Sequence, residues 1–158
     1  MGEIVLTRID DRLIHGQVMT SWLNYTSANR ITIIDELTAK DPFMRNILEM
    51  VIPPGIKLDI CDIDTGADTL INQLKEKDKV IVLAKGPEAI LELLEKGVNI
   101  KNLNVGGMGA KPGRKKFYKN ISASEEEKEI FRKILAKGVE ISVQIIAEDS
   151  KTNVEKFL

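Results

Sequence analysis

Continuous apolar runs alternate along the chain with segments whose apolar positions recur every three or four residues. Ile4-Val5-Leu6, Ile31-Thr32-Ile33-Ile34 and Val80-Ile81-Val82-Leu83 read as strands buried on both faces. Ile56, Leu58 and Ile60, and later Ile141, Val143 and Ile145, alternate with polar residues, as in strands with one wetter face. Between these runs the spacing turns helical: Val18, Met19, Trp22 and Leu23; Phe43, Ile47, Leu48 and Val51; Leu70, Ile71 and Leu74. Punctuation agrees. Asp41-Pro42 opens a helix and Pro53-Pro54-Gly55 ends it. Pro87 suits a first helical turn, and Gly97 and Gly138 suit helix ends. Ser124-Glu125-Glu126-Glu127 is a capping box. Leu103 and Val105 form a strand leading into Gly106-Gly107-Met108-Gly109, and residues 154–158 suit a short terminal helix.

Strand alternating with helix predicts an α/β fold: a single-domain, open, mainly parallel sheet with helices on both faces and right-handed crossovers. The strands near residues 4, 31 and 80 belong centrally, and those near 56 and 141 towards the edges. No linker, repeat or low-complexity segment divides the chain, so residues 1–158 are expected to form one domain.

Charge narrows the function classes. Lys plus Arg number 23 and Asp plus Glu 24, which argues against a general nucleic-acid or acidic-membrane binder, since phosphate backbones demand a basic surplus. No apolar run approaches the ~18 residues of a membrane span. The first residues read as a strand without a basic region or cleavage site, so no signal peptide is expected. The single cysteine, Cys61, fits a strand interior in a reducing cytoplasm. One histidine and one cysteine cannot supply a zinc site, so no metal is expected.

The candidate chemistry concentrates in "RIDDRLIHGQV", residues 8 to 18, between the first strand and the first helix. In open α/β sheets ligands bind beyond the carboxyl ends of the strands. His15, the only histidine, falls there at a helix start, where unpaired N–H groups and the helix dipole attract anions. Arg8 and Arg12 add permanent cations able to fork onto phosphoryl oxygens, and Gly16 admits close backbone approach. Asp10 or Asp11 can take the proton of one imidazole nitrogen and leave the other as a nucleophile. Arg12, three residues before His15, is the expected clamp. Arg8 is more easily explained as an ion pair with Asp10 or Asp35. "GGMGAKPG", residues 106 to 113, fails both the P-loop and the dinucleotide spacing, so no nucleotide cofactor is expected. It reads instead as a flexible turn enclosing the site. Lys111, Arg114, Lys115 and Lys116 read as a solvated basic run, or a docking patch for an acidic partner. Two rivals to a carrier stay open: a module in which His15 binds a small anion, and a hydrolase with His15 as base, although no Gly-x-Ser-x-Gly elbow is present.

"RIDDRLIHGQV" resembles the active-site loop of IIB components in the mannose/fructose/sorbose family of the bacterial sugar phosphotransferase system. "IIDELTAKDPF", "IPPGIKL" and "LNVGGMG" resemble further segments of that family, so the resemblance runs the length of the chain. Two positions depart from the pattern: Asp35-Glu36-Leu37, where a more acidic stretch is expected, and Ala147, where proline is. Neither falls in the histidine loop. The resemblance implies a phosphoryl carrier that accepts the group on His15, through Nδ1, from a IIA partner. The carrier passes it to a hexose-type sugar held by the membrane components IIC and IID. It implies a cytoplasmic protein, peripherally associated with that transporter, that needs no cofactor. Arg12 would act with His15, and Arg8, Asp10, Asp11, Gly16, Gln17, Gly107 and Met108 would bind the phosphoryl group or shape the loop. Whether two copies pair as a homodimer is left open.

Overall fold

β-branched runs with little polar interruption form the inner strands, and Pro, Gly and capping carboxylates set the helix ends between them. The computed structural model describes residues 2–158. In chain order the elements are β1 (Glu3–Asp10), α1 (Gly16–Thr26), β2 (Arg30–Ile34), α2 (Glu36–Ala39), α3 (Pro42–Val51), β3 (Lys57–Cys61), α4 (Ile63–Asn72) and β4 (Lys79–Ala84). They continue as α5 (Pro87–Glu95), β5 (Asn102–Gly107), β6 (Lys115–Tyr118), β7 (Ile121–Ala123), α6 (Glu125–Ala136), β8 (Glu140–Val143) and β9 (Thr152–Asn153), then a single 3-10 turn over Glu155–Phe157.

Seven strands form one sheet in the order β3-β2-β4-β1-β5-β8-β9, parallel except for β9. The strands expected centrally are interior and the two expected outermost lie towards the edges. One face packs Ile31, Ile33, Ile81 and Leu83 against Met19 and Trp22 of α1 and Leu48 of α3. The other packs Val82, Val105 and Ile141 against Ile90 and Leu93 of α5 and Phe131 and Ile134 of α6. Burying each such aliphatic side chain contributes roughly 1.5 to 3 kcal/mol. The helix signals hold as well: Asp41 caps α3 ahead of Pro42, Ser124 and Glu127 cap each other reciprocally, and Gly97 and Gly138 take left-handed φ of 97° and 88° just past their helices.

Three features were not expected. The β6–β7 hairpin follows a segment read as loop, α2 is a single short helix capped by Asp35, and β9 adds a short antiparallel edge strand. The terminal helix is reduced to a 3-10 turn. At the amino edge of the sheet, buried Arg30 is held by Asp59 at 2.7 Å and Asp78 at 2.9 Å, a tie between β2, β3 and the start of β4 far from the histidine. No helix of the described residues is long and apolar enough to cross a membrane.

The order of the strands places the crevice. From β1 the chain runs to β2 and β3 on one side, and from β5 it runs to β8 on the other. The carboxyl ends of β1 and β5 therefore lie side by side where the winding reverses, with Asp10 opposite Gly107.

Candidate active site

The last residues of β1 turn sharply. The Leu13 amide donates to the Asp10 carbonyl at 2.9 Å, and Leu13 takes a left-handed φ of 58°. That conformation costs about 1 to 2 kcal/mol for a residue with a Cβ. Burial of the Leu13 and Ile14 side chains against the α1–α3 face offsets it and pins the loop from below. The chain then enters α1 with His15 at the N-cap in extended backbone and no side-chain cap on the first turn. The leading N–H groups of α1 therefore face outward beside the imidazole, with Gly16 and Gln17 exposed there.

Asp10 is the hub. It is fully buried, and both its oxygens accept. Oδ1 takes the Arg12 backbone N–H at 3.1 Å and Arg12 Nε at 3.1 Å. Oδ2 takes Arg12 Nη2 at 3.3 Å, Arg8 Nη2 at 3.2 Å and His15 Nε2 at 3.0 Å. Burial pushes the Asp10 carboxyl up, but the hydrogen bonds from Arg12 and His15 and the charge of Arg8 outweigh it and hold the group below the usual carboxylate range. An ionised Asp10 accepts the proton of His15 Nε2, which fixes the tautomer and leaves Nδ1 as the free lone pair. The His15 side chain is 25 % exposed, enough for a partner to reach it.

The two arginines part company. Arg12 is 51 % exposed and lies along Asp10 with much of its guanidinium in solvent. Arg8 is 1 % exposed. Its Nη1 donates to Asn104 Oδ1 and to the Gln144 carbonyl at 2.8 Å, and its plane lies 5.5 Å over the Trp22 ring. Burial lowers the pKa of Arg8, against the pull of Asp10. Arg8 pairs with Asp10 and not Asp35, which instead caps α2 and meets Lys85 at 3.6 Å. Of the two roles expected for Arg8 its burial favours loop shaping: it holds Asp10 from beneath as the expected ion pair, with its guanidinium packed against the Trp22 ring.

The glycine turn joins the site through its backbone. The Asp11 amide donates to the Gly107 carbonyl at 3.0 Å, and Asp11 Oδ2 accepts the Gly109 N–H at 2.7 Å. A Cβ on Gly107 would lie 2.9 Å from Asp10 Oδ1, so the turn presses on the hub. Met108 likewise falls on the loop-shaping side of its expected role. Its side chain is wholly buried in the core below, and its carbonyl accepts the Ser122 N–H at 2.8 Å, so it seats the turn on β7 and does not face the site. Arg114 leaves the expected basic run. It forks onto Glu127 at 2.9 and 2.8 Å and donates to the Gly109 carbonyl at 2.9 Å, tying the turn to α6. Lys111, Lys115 and Lys116 stay exposed. Sequence reasoning missed Asn104 and Gln144, and it read Glu127 only as a helix cap and Gly106 only as part of the turn. Asn104 left one signal, as a polar residue between Leu103 and Val105.

Residues 4–158 match the sorbose subfamily of phosphotransferase-system IIB components. The chain belongs to that family. It is 34 % identical over 152 residues to the sorbose-specific EIIB component of Klebsiella pneumoniae, covering 96 % of this chain and 93 % of the relative. It is 35 % identical over 148 residues to the mannose-specific EIIAB component of Escherichia coli K12, covering 94 % of this chain and 46 % of that longer protein. The crystal structure of the IIB domain of the sorbose permease from Klebsiella pneumoniae superposes with a TM-score of 0.93 at 33 % identity, covering 98 % of this chain and 95 % of that one. This IIB component is thus a phosphoryl carrier of sugar uptake with its family's fold.

Proposed function

We propose that this IIB component carries the phosphoryl group on Nδ1 of His15. The observation that carries the reading is the bond from His15 Nε2 to buried Asp10, which leaves Nδ1 free beside the uncapped start of α1. A IIA phosphohistidine is the donor: its P–N bond breaks as a new one forms at Nδ1. In the second step that bond breaks as a sugar hydroxyl takes the group and releases its proton. Phosphoryl transfer spreads charge over the equatorial oxygens, and the first-turn N–H groups of α1 and the outer edge of Arg12 supply the fixed counter-charge. Asp10 stabilises the positive charge that the imidazole acquires while Nδ1 is bonded. The EIIAB relative supports IIA as the partner. IIA docks over the carboxyl edge formed by residues 8–17 and the turn at 106–116. The IIC and IID components present a hexose-type sugar to the same edge from the membrane, and they, not this chain, choose the sugar. The IIB component works in the cytoplasm beside them.

Incubation with phosphoenolpyruvate, the general phosphotransferase proteins and IIA should add the mass of one acid-labile phosphoryl group. His15→Gln, which keeps the size and lacks the nucleophile, should show no gain, and an acid-labile gain on that variant would remove His15 from the mechanism. Arg12→Lys keeps the charge but loses the planar fork. It should fold as the parent does and slow single-turnover transfer to sugar by roughly 10²-fold or more, given what an arginine at the transition-state charge contributes. Equal rates would take Arg12 out of the mechanism.

A further inference from the structure

We propose that Asn104 is a positioning residue for the phosphoryl-accepting imidazole, acting through Arg8 and Asp10. The proposal rests on the carrier reading of His15. Asn104 lies opposite Arg8 in the β1–β5 register, is 6 % exposed, and accepts from Arg8 through its side chain. Its Oδ1 and the Gln144 carbonyl together occupy Nη1 of Arg8. That leaves Nη2 aimed at Asp10 Oδ2, the same oxygen that accepts His15 Nε2. The Trp22 ring and the missing side chain of Gly106 close the slot around the guanidinium. Rotation of Arg8 in that slot would pull Asp10, and Asp10 sets the tautomer and direction of the imidazole. Asparagine is the fitting residue for the task. It is a neutral acceptor, so it orients Arg8 while leaving the cation's charge to Asp10. An aspartate in the same place would compete for that charge.

The charged group bonded to His15 is Asp10 from β1, and the charges on Asp10 in turn are Arg12 from the loop and Arg8 beneath. Asp11 of the histidine loop and Arg114, 3.9 Å apart, both bond the backbone of the glycine turn at Gly109. A new negative charge at position 104 is therefore read mainly along the Arg8–Asp10 arm. Two variants test the proposal, each near the parent in bulk. Asn104→Asp keeps the acceptor and adds a charge. Since the chain has one histidine, its imidazole pKa is read from a single NMR resonance. The expected shift is upward by about one pH unit, from one added charge roughly two contacts away in a medium of effective dielectric near 20. The pH profile of phosphoryl acceptance should move up by the same amount, with KM for phosphorylated IIA unchanged. Asn104→Leu removes the acceptor. It should lower the rate of acceptance at saturating IIA by about tenfold or more, again without a change in KM, because a small misplacement of the nucleophile carries a large penalty. An unshifted imidazole pKa in folded Asn104→Asp overturns the proposal. So does parental acceptance by Asn104→Leu; if that variant fails to fold, Asn104→Asp alone decides. The imidazole titration needs no phosphoryl transfer. A wild-type protein that never takes up phosphoryl would therefore refute the carrier reading and leave the titration result standing.

Discussion

Asp10→Asn is expected to lose about 3 to 5 kcal/mol of stability and at least ~10²-fold in phosphoryl acceptance. Both Asp10 oxygens accept from donors, so an amide placed there points its own N–H groups at the donors of Arg8, Arg12 or His15 whichever way it is turned. Arg8 is left as a buried cation with no anion beside it, which is the costly way to break a buried pair. The His15 Nε2–H loses its acceptor, and the imidazole is free to swing and change tautomer. The pH dependence separates this from a packing defect. In the wild type the Asp10 carboxyl titrates below its unfolded value of about 3.9. Its contribution to stability is therefore complete above that pH and disappears as pH falls through the lower folded value. Urea melts between pH 6 and pH 2 should show a shallower acid loss in Asp10→Asn than in the wild type. Parallel acid limbs would mean that Asp10 is not the charge that holds the loop.

Gly106→Ala should be nearly as damaging, although it adds one methyl group to a turn. Between Ile9↔Val105 and Asp10↔Gly107 the register of β1 and β5 slips by one, and Gly106 is the extra residue. A Cβ there would lie 1.9 Å from Arg8 Nη2 and 2.0 Å from Cζ. Gly106 does not hold a left-handed φ, so alanine meets no backbone penalty and the clash stands alone. The guanidinium has nowhere to retreat, being fixed by Asn104, the Gln144 carbonyl, Asp10 and the Trp22 ring. Driving Arg8 out strands Asp10 and opens the floor of the site. The expected loss is about 3 kcal/mol or more, together with most phosphoryl acceptance. A denaturant midpoint and transfer rate within error of the wild type would show that Arg8 is not needed where the structure places it.

What the sequence made legible was local. The apolar spacing of β2 and β4, the Asp41-Pro42 start of α3 and the Ser124–Glu127 capping box each depend on residues within one turn or one strand. The histidine loop was legible for the same reason, since Asp10, Arg12 and His15 are close neighbours in the chain. What stayed hidden depends on which strands lie side by side. Nothing within β1 shows that β5 will bring Asn104 against Arg8, or that the end of β8 will bring up the Gln144 carbonyl, 136 residues away. The ion pair of Arg8 with Asp10 was therefore legible, two residues along one strand, but not the burial and the distant acceptors that fix it. Arg114 sits among lysines and read as solvated, until α6 set Glu127 beside it. Met108 adjoins Gly107 and read as part of the site. Strand alternation turns one towards Asp10 and the other into the core.

The linkage atom of the phosphohistidine tests the account most directly. The protein, labelled with 15N in its single histidine and phosphorylated through IIA, should show a 31P–15N coupling to Nδ1. Its Nε2 should keep its proton and its bond to Asp10. Phosphorus bonded to Nε2 would contradict the geometry of the Asp10 hub, and a phosphorylated protein with no 31P–15N coupling at all would contradict the assignment to His15.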